Sequence, residues 1–220
     1  MALINRDTFL KNASTEVAVC GRYYGGDTVH VGLAWIDKDT NQEIAFHFQH
    51  PTHIPFDSLK GEEYSQYSFN KLIDFDLSIL PSMSALCELI SQNKLDSVIF
   101  NRNGVVYDGG KFTSTGDYST KHISERIMNC AVFTIALLNT YDYQLIKWDS
   151  WPSGHDAGPY LDPWFSAHEI SGEIREHYYK TSKLIRGFHV LAAPSAKSRP
   201  ATFEEVSPIA NELLTAFKAG

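Results

Sequence analysis

The dipeptide Asn129-Cys130 stands at the front of an apolar run, MNCAVFTIALLN, whose length and composition predict a buried helix ending near Asn139. A free thiol is a weak nucleophile near neutral pH because its unperturbed pKa is about 8.5. A helix N-terminus presents unpaired backbone N–H groups and a partial positive charge. Both favour a thiolate, and the same N–H groups can afterwards hold an oxyanion. Cys130 is therefore a candidate nucleophile, and it needs an imidazole nearby to take its proton.

Strand parity nominates His30 for that role. In TVHVGLAWI, residues 28–36, the side chains of Val29, Val31, Leu33 and Trp35 share one face. His30, Gly32 and Ala34 share the other, so the histidine has small neighbours that leave room for a helix end. The polar run DKDTNQ then turns the chain into a partner strand, EIAFHFQ, residues 43–49. If Ile36 pairs with Glu43, His47 lies opposite Gly32 and diagonal to His30, and Gln49 lies opposite His30 itself. Diagonal neighbours are roughly 7–8 Å apart, within reach of ring side chains. His47 is thus placed to orient His30 as the third group of a triad orients its base. Asn129 and Gln49 are candidates for substrate or oxyanion contacts.

The elements that must carry these residues follow from pattern. Residues 17–23 read as a short strand, closed by the Gly25-Gly26-Asp27 turn. Residues 50–79, polar and aromatic with two prolines, read as mostly loop. Pro81-Ser82 opens a short helix with Ser82 as its cap, and a second hairpin is expected from strands at 97–100 and 105–107. Asp162-Pro163 reads as a cap followed by proline at the first helical position, opening a helix to about Tyr179. Phe188–Ala192 reads as a strand, and Thr202-Phe203-Glu204-Glu205 as a capping box that starts a terminal helix through Phe217. The boundary falls near residue 147: a core over 1–147, and a C-terminal elaboration over 148–220 packed against it.

A strand reading HVGLAW, a partner strand with a second histidine, and a later helix beginning NCAVF together resemble the circularly permuted papain-like cysteine hydrolases. That superfamily includes lecithin retinol acyltransferase-like and PPPDE isopeptidase-like groups, with kin among cell-wall amidases. The matching pieces are His30-Val31-Gly32, His47 and the Asn129-Cys130-x-x-Phe133 pattern, about 25 residues in all. The resemblance implies an α+β fold: a permuted papain-like core in which a small antiparallel sheet packs on the nucleophile-bearing helix. Here a helical C-terminal extension follows. It further implies Cys130 as nucleophile, His30 as general base and acid, and His47 as the polar third residue. The expected chemistry is cleavage of an amide, isopeptide or ester bond through a thioester acyl-enzyme, with acyl transfer as a variant and no cofactor. The expected substrate is a peptide or protein, and the extension leaves room for an inhibitory or partner protein. Departures from the pattern are a longer turn between the strands and Ala131-Val132 after the cysteine, where the groups usually carry a polar pair. They keep a second expectation in view, a catalytically inactive papain-like binding module.

Composition bounds the rest. The 220 residues are 43% apolar and 20% charged, enough for a sizeable core. Nineteen basic against 26 acidic side chains give a net charge of −7, which argues against general phosphate binding and so against nucleic acid. No apolar run is long enough to span a bilayer and no secretory signal is visible, while three cysteines suit a reducing compartment. A cytoplasmic protein, or one exported without a classical signal peptide, is expected. Cys20 and Cys87 read as structural. His47, His50 and His53 lack the companions of a zinc set, and Gly172 stands where a zinc-protease helix beginning at His168 would need its second histidine. No metal is expected. Trp148 and Trp151 are candidates for lining a substrate groove.

Overall fold

The computed structural model describes residues 3–12, 16–37, 40–48, 56–93, 99–100, 109–119, 127–153, 158–167, 172–181 and 183–219. The chain is α+β. Its main sheet, six-stranded among the described residues, has neighbours in the order β1-β6-β2-β3-β4-β5, all pairs antiparallel. These strands are β1 (Ile4–Asn5), β2 (Val17–Gly25), β3 (Thr28–Asp37), β4 (Gln42–His47), β5 (Phe56–Ser58) and β6 (Ser68–Lys71). The Gly25-Gly26 turn joins β2 to β3, with both glycines at positive φ, a conformation that costs glycine nothing. The β3–β4 register is the one expected: Ile36 faces Glu43, Ala34 faces Ala45, and Gly32 faces His47.

Within 50–79, expected to be mostly loop, residues 56–79 are the described ones and hold several regular elements. They supply the edge strand β5, a 3-10 turn over Glu62–Gln66, and β6, which pairs with both β1 and β2. Three- and four-residue strands carry too little alternation to be legible, and it is pairing to longer neighbours that holds them extended.

The two faces of the sheet differ. Val17, Val19, Val29, Val31, Leu33, Trp35, Ile44, Phe46 and Phe48 point into the larger core. Helix α3 (Cys130–Thr140) lies in that core and is buried from Cys130 through Leu138, so it is apolar all round, as a helix enclosed on every side must be. The opposite face carries Ala18, Cys20, Ala34 and Ala45 under a second, smaller cluster. There Phe9 of α1 (Arg6–Asn12) stacks on Phe69 at 4.8 Å, beside Leu59, Tyr64 and Tyr67.

Helix α2 (Leu80–Asn93) begins two residues before the expected cap. The 3-10 turn Leu77–Ile79, capped by Asp76, feeds directly into it, and Ser82 donates to the Ile79 carbonyl. Trp35 Nε1 donates to Ser84 Oγ of α2 at 2.9 Å, which satisfies an otherwise buried indole. The expected second hairpin is not the pairing seen at Ile99-Phe100. That strand, β7, pairs in parallel with β10 (Ile127–Met128), immediately before α3; residues 105–107 lie outside the described residues. Between them β8 (Lys111–Phe112) and β9 (Tyr118–Ser119) make a small antiparallel ladder.

After residue 147 come α4 (Gly158–Ala167), α5 (Gly172–Thr181), α6 (Gly187–Ala192) and α7 (Phe203–Ala219). Pro163 sits inside α4 rather than at its first position, and the helix starts at Gly158. Phe188–Ala192 is helical, not extended. Gly187 packs so closely on β3 that a Cβ there would stand 1.8 Å from the Val29 carbonyl oxygen, and this docking overrides the strand-like composition. The capping box at α7 is present, with Thr202 N donating to Glu205 and Glu205 N donating to Thr202 Oγ1. Ile185, Leu191, Val206 and Leu213 share one core with Val31 and Phe133, and Ile146 bridges Ala201, so the C-terminal part completes the main core.

Candidate functional site

β3 and β4 bring the two histidines together. His30 Nε2 and His47 Nδ1 are 2.7 Å apart, with ring centroids 4.7 Å apart and nearly perpendicular. Gly32 makes this possible, since a Cβ there would stand 2.5 Å from His47 Cβ. The small residues beside His30 therefore make room for the second histidine. The chain of hydrogen bonds continues: His47 Nε2 lies 3.0 Å from Tyr64 Oη, and Tyr64 is fully buried on the 3-10 turn Glu62–Gln66. His47 is 3% exposed, while His30 is half-buried and makes no hydrogen bond at Nδ1 among the described residues. Burial pulls the His30 pKa down to about 4, so its ring is neutral at pH 7.

Cys130 is the first residue of α3. Asn129 caps the helix, its Oδ1 accepting from Val132 N at 2.9 Å, and Phe133 N closes the first helical hydrogen bond to the Asn129 carbonyl. The Asn129 side-chain carbonyl is thus committed to the helix end. The Cys130 thiol lies against the backbone of Val31 and against the N–H groups of Ala131 and of its own residue. Burial is the larger influence and pushes its pKa up to about 11, while those backbone groups pull the other way.

Helix α3 docks on the face of β3 that carries Val31 and Leu33, whereas His30 projects from the other face with His47. This corrects the expectation that the helix end approaches over Gly32 and Ala34. The wide apolar face offers far more area to bury than the small-residue face. β4 ends at His47, opposite Gly32, and Val31 is the next β3 residue towards His30. The thiol makes its strand contact there, one residue from His30. No hydrogen bond joins Sγ to the His30 ring among the described residues.

Of the remaining expected site residues, Gln49 lies outside the described residues. Trp151 is 2% exposed and wedged against His189 and Phe203 with ring centroids at 5.2 and 5.3 Å. Trp148 borders a cleft of about 300 Å³ with Ile135, Asn139 and Tyr143. That cleft adjoins the C-terminal half of α3, away from Cys130 at its start.

Sequence reasoning missed Tyr64, Arg22 and Tyr24. Arg22 faces His30 across the β2–β3 ladder and lies over the Tyr24 ring at 4.9 Å, and its buried Nε has no hydrogen-bond partner among the described residues. Tyr24 is 53% exposed and meets the His30 ring edge-on at 6.4 Å. Arg22 also lines an open groove of about 570 Å³ with Arg6, Lys60, Glu62, Ser65 and Gln66, on the turn that carries Tyr64. Alternation along β2, which puts Arg22 and Tyr24 on one face, was the available signal for these two; nothing in EEYSQ marked Tyr64.

Among the described residues no cluster of histidine, cysteine or carboxylate side chains is arranged to hold a metal ion, and no helix is long and apolar enough to cross a membrane. No protein family, curated protein or solved structure matches the chain.

Proposed function

We propose that the protein is a cysteine hydrolase acting on an amide, isopeptide or ester bond, on a permuted papain-like core. The observation that carries this reading is the His30–His47 hydrogen bond at 2.7 Å, which occupies His30 Nε2, with Nδ1 unbonded among the described residues and the Cys130 thiol held at the neighbouring residue of the same strand. Burial keeps both groups neutral, so attack starts from a thiol and an imidazole rather than from an ion pair. His30 Nδ1 takes the Sγ proton as sulfur adds to the carbonyl carbon, and the backbone N–H groups at the start of α3 receive the oxyanion. The tetrahedral adduct collapses to a thioester while His30 passes its proton to the departing amine or alcohol. Water, deprotonated by the same nitrogen, then releases the acid and restores the thiol. A peptide or protein is the substrate class this reading favours.

A thiol-reactive probe tests it. Iodoacetamide at pH 7 labels Cys130 well ahead of Cys20 and Cys87, His30→Ala abolishes the lead, and the rate falls as pH drops through about 4, where His30 takes up a proton. The burial of Cys130, 9% exposed, favours the second reading, an inactive binding module on the same scaffold. Equal, slow labelling of all three cysteines would select that one.

A further inference from the structure

Beside His30, Arg22 brings a cation to the wall of the open groove that Arg6, Lys60 and the Glu62–Gln66 turn complete. We propose that this groove is a carboxylate-binding site, in which the Arg22 guanidinium receives one carboxylate of an acidic peptide. Arg22 pairs with His30 and so projects from the sheet face that carries Ala18, Cys20 and Ala34, whereas Cys130 and α3 lie on the other face. Binding there does not require the thiol, and it goes beyond the hydrolase reading.

Three observations meet at Arg22. Its guanidinium lies over the Tyr24 ring at 4.9 Å, a stacking contact that fixes the plane of the fork before any ligand arrives. Its Nε is buried with no hydrogen-bond partner among the described residues, so the charge is partly withdrawn from water without a bond to offset the loss. An anion against the same guanidinium supplies that offset, and a carboxylate matches the fork with two parallel bonds. The other two cations of the groove are already engaged: Arg6 with Asp7 at 3.3 Å and with the Gly61 carbonyl, and Lys60 with Glu43 at 3.0 Å. Glu62 and Glu63 also line the groove, yet neither forms an ion pair with Arg22 among the described residues. One cation left over among four carboxylates suits a single negative charge, while a dianionic phosphate would meet their repulsion. The groove, at about 570 Å³, is far larger than one carboxylate needs, which favours a chain segment over an isolated ion. Ser65 and Gln66 add polar side chains of the kind that meet peptide amides.

The test is an NMR titration of the full chain. It follows the Arg22 Nε–H signal, assigned by its loss in Arg22→Lys, and the backbone N–H signals of Tyr24 and His30. The probes are three acetylated glycine–serine pentapeptides. One has a central glutamate and an amidated end, one a central glutamine and a free C-terminal carboxylate, and one a central glutamine and an amidated end. At least one carboxylate-bearing peptide should move these signals and bind about tenfold more tightly than the neutral one, the factor expected of a charged hydrogen-bonded pair. Which of the two binds separates a side-chain carboxylate from a chain terminus. Arg22→Gln should erase the preference. Equal affinity for all three peptides, or a preference unchanged in Arg22→Gln, overturns the assignment, as does inorganic phosphate binding more tightly than either acidic peptide. Far-ultraviolet circular dichroism verifies that Arg22→Gln keeps the fold. Should it not, Tyr24→Leu, which removes the stacking platform at an exposed position, decides instead: severalfold weaker binding of the acidic peptide supports the site, and unchanged binding overturns it. Slow labelling of Cys130 would sink the hydrolase reading and leave this site untouched.

Discussion

A Cβ on Gly32 would stand 2.5 Å from His47 Cβ and 2.6 Å from the Phe46 carbonyl oxygen. Both neighbours belong to β4, one of them to its backbone, so the strand cannot yield without losing its pairing to β3. Gly32→Ala is therefore expected to push His47 away and break the 2.7 Å contact to His30. The stability cost should be about 1–3 kcal/mol, typical of overpacking. The informative readout is chemical. Any labelling lead of Cys130 should shrink as far as it does in His47→Ala, and a Gly32→Ala protein that keeps the full lead would detach His47 from the site. The residue is glycine because two strands each bring a histidine to one spot and a side chain between them would leave no room.

At the scale of elements, α3 has little polar face of its own, so its position depends on packing and on its cap. Asn129 is 6% exposed and satisfies Val132 N, and without it that N–H faces the interior unpaired. Asn129→Ala should lower stability by about 1 kcal/mol, within a 0.5–2 range, while Asn129→Ser restores most of it. Urea denaturation compares the two, and equal midpoints would remove the cap from the account of α3. The helix itself was legible because the eight residues after Asn-Cys, AVFTIALL, are almost wholly apolar and have few other solutions. The β3–β4 register was legible too, since the polar turn DKDTNQ fixes which residues pair and the outcome places His47 beside His30. Which face of β3 receives α3 was not legible: VHVGLAW is apolar or small on both sides, and only the completed sheet shows which side has more area to cover. Tyr64 was hidden because a short 3-10 turn in a polar stretch has no periodicity to read. Phe188–Ala192 misled because its composition suits a strand, while Gly187 holds it as a helix against Val29.

At the scale of the whole molecule, the buried histidines link stability to acidity. His189 of α6 is 7% exposed, among Trp151, Phe188 and Phe203, and its Nδ1 accepts from Arg186 N. Burial first, and the Arg186 charge second, pull its pKa down to about 3. Burial brings His30 to about 4. In the unfolded chain both titrate near 6.5, so below that pH the unfolded state binds protons that the folded state refuses, and stability falls as pH falls. The loss begins near 6.5 and continues until each folded pKa is reached, about 4 for His30 and about 3 for His189. Asp27, held down by Lys218 and Arg186, contributes in a separate window, since its stabilisation is lost only at and below the ordinary carboxylate range. Near pH 6, above the ordinary carboxylate range, the slope therefore belongs to histidine, and each such group adds up to about 1.4 kcal/mol per pH unit. His189→Gln should remove about one proton's share of that slope, whatever it does to stability at pH 7. Urea denaturation at half-unit steps measures this, and a slope identical to the parent's would show that His189 is already protonated in the fold. The consequence reaches the candidate site, because α6 starts at Gly187 against the Val29 carbonyl, one residue before His30. Acid that loosens His189 loosens the support of the strand that carries the base.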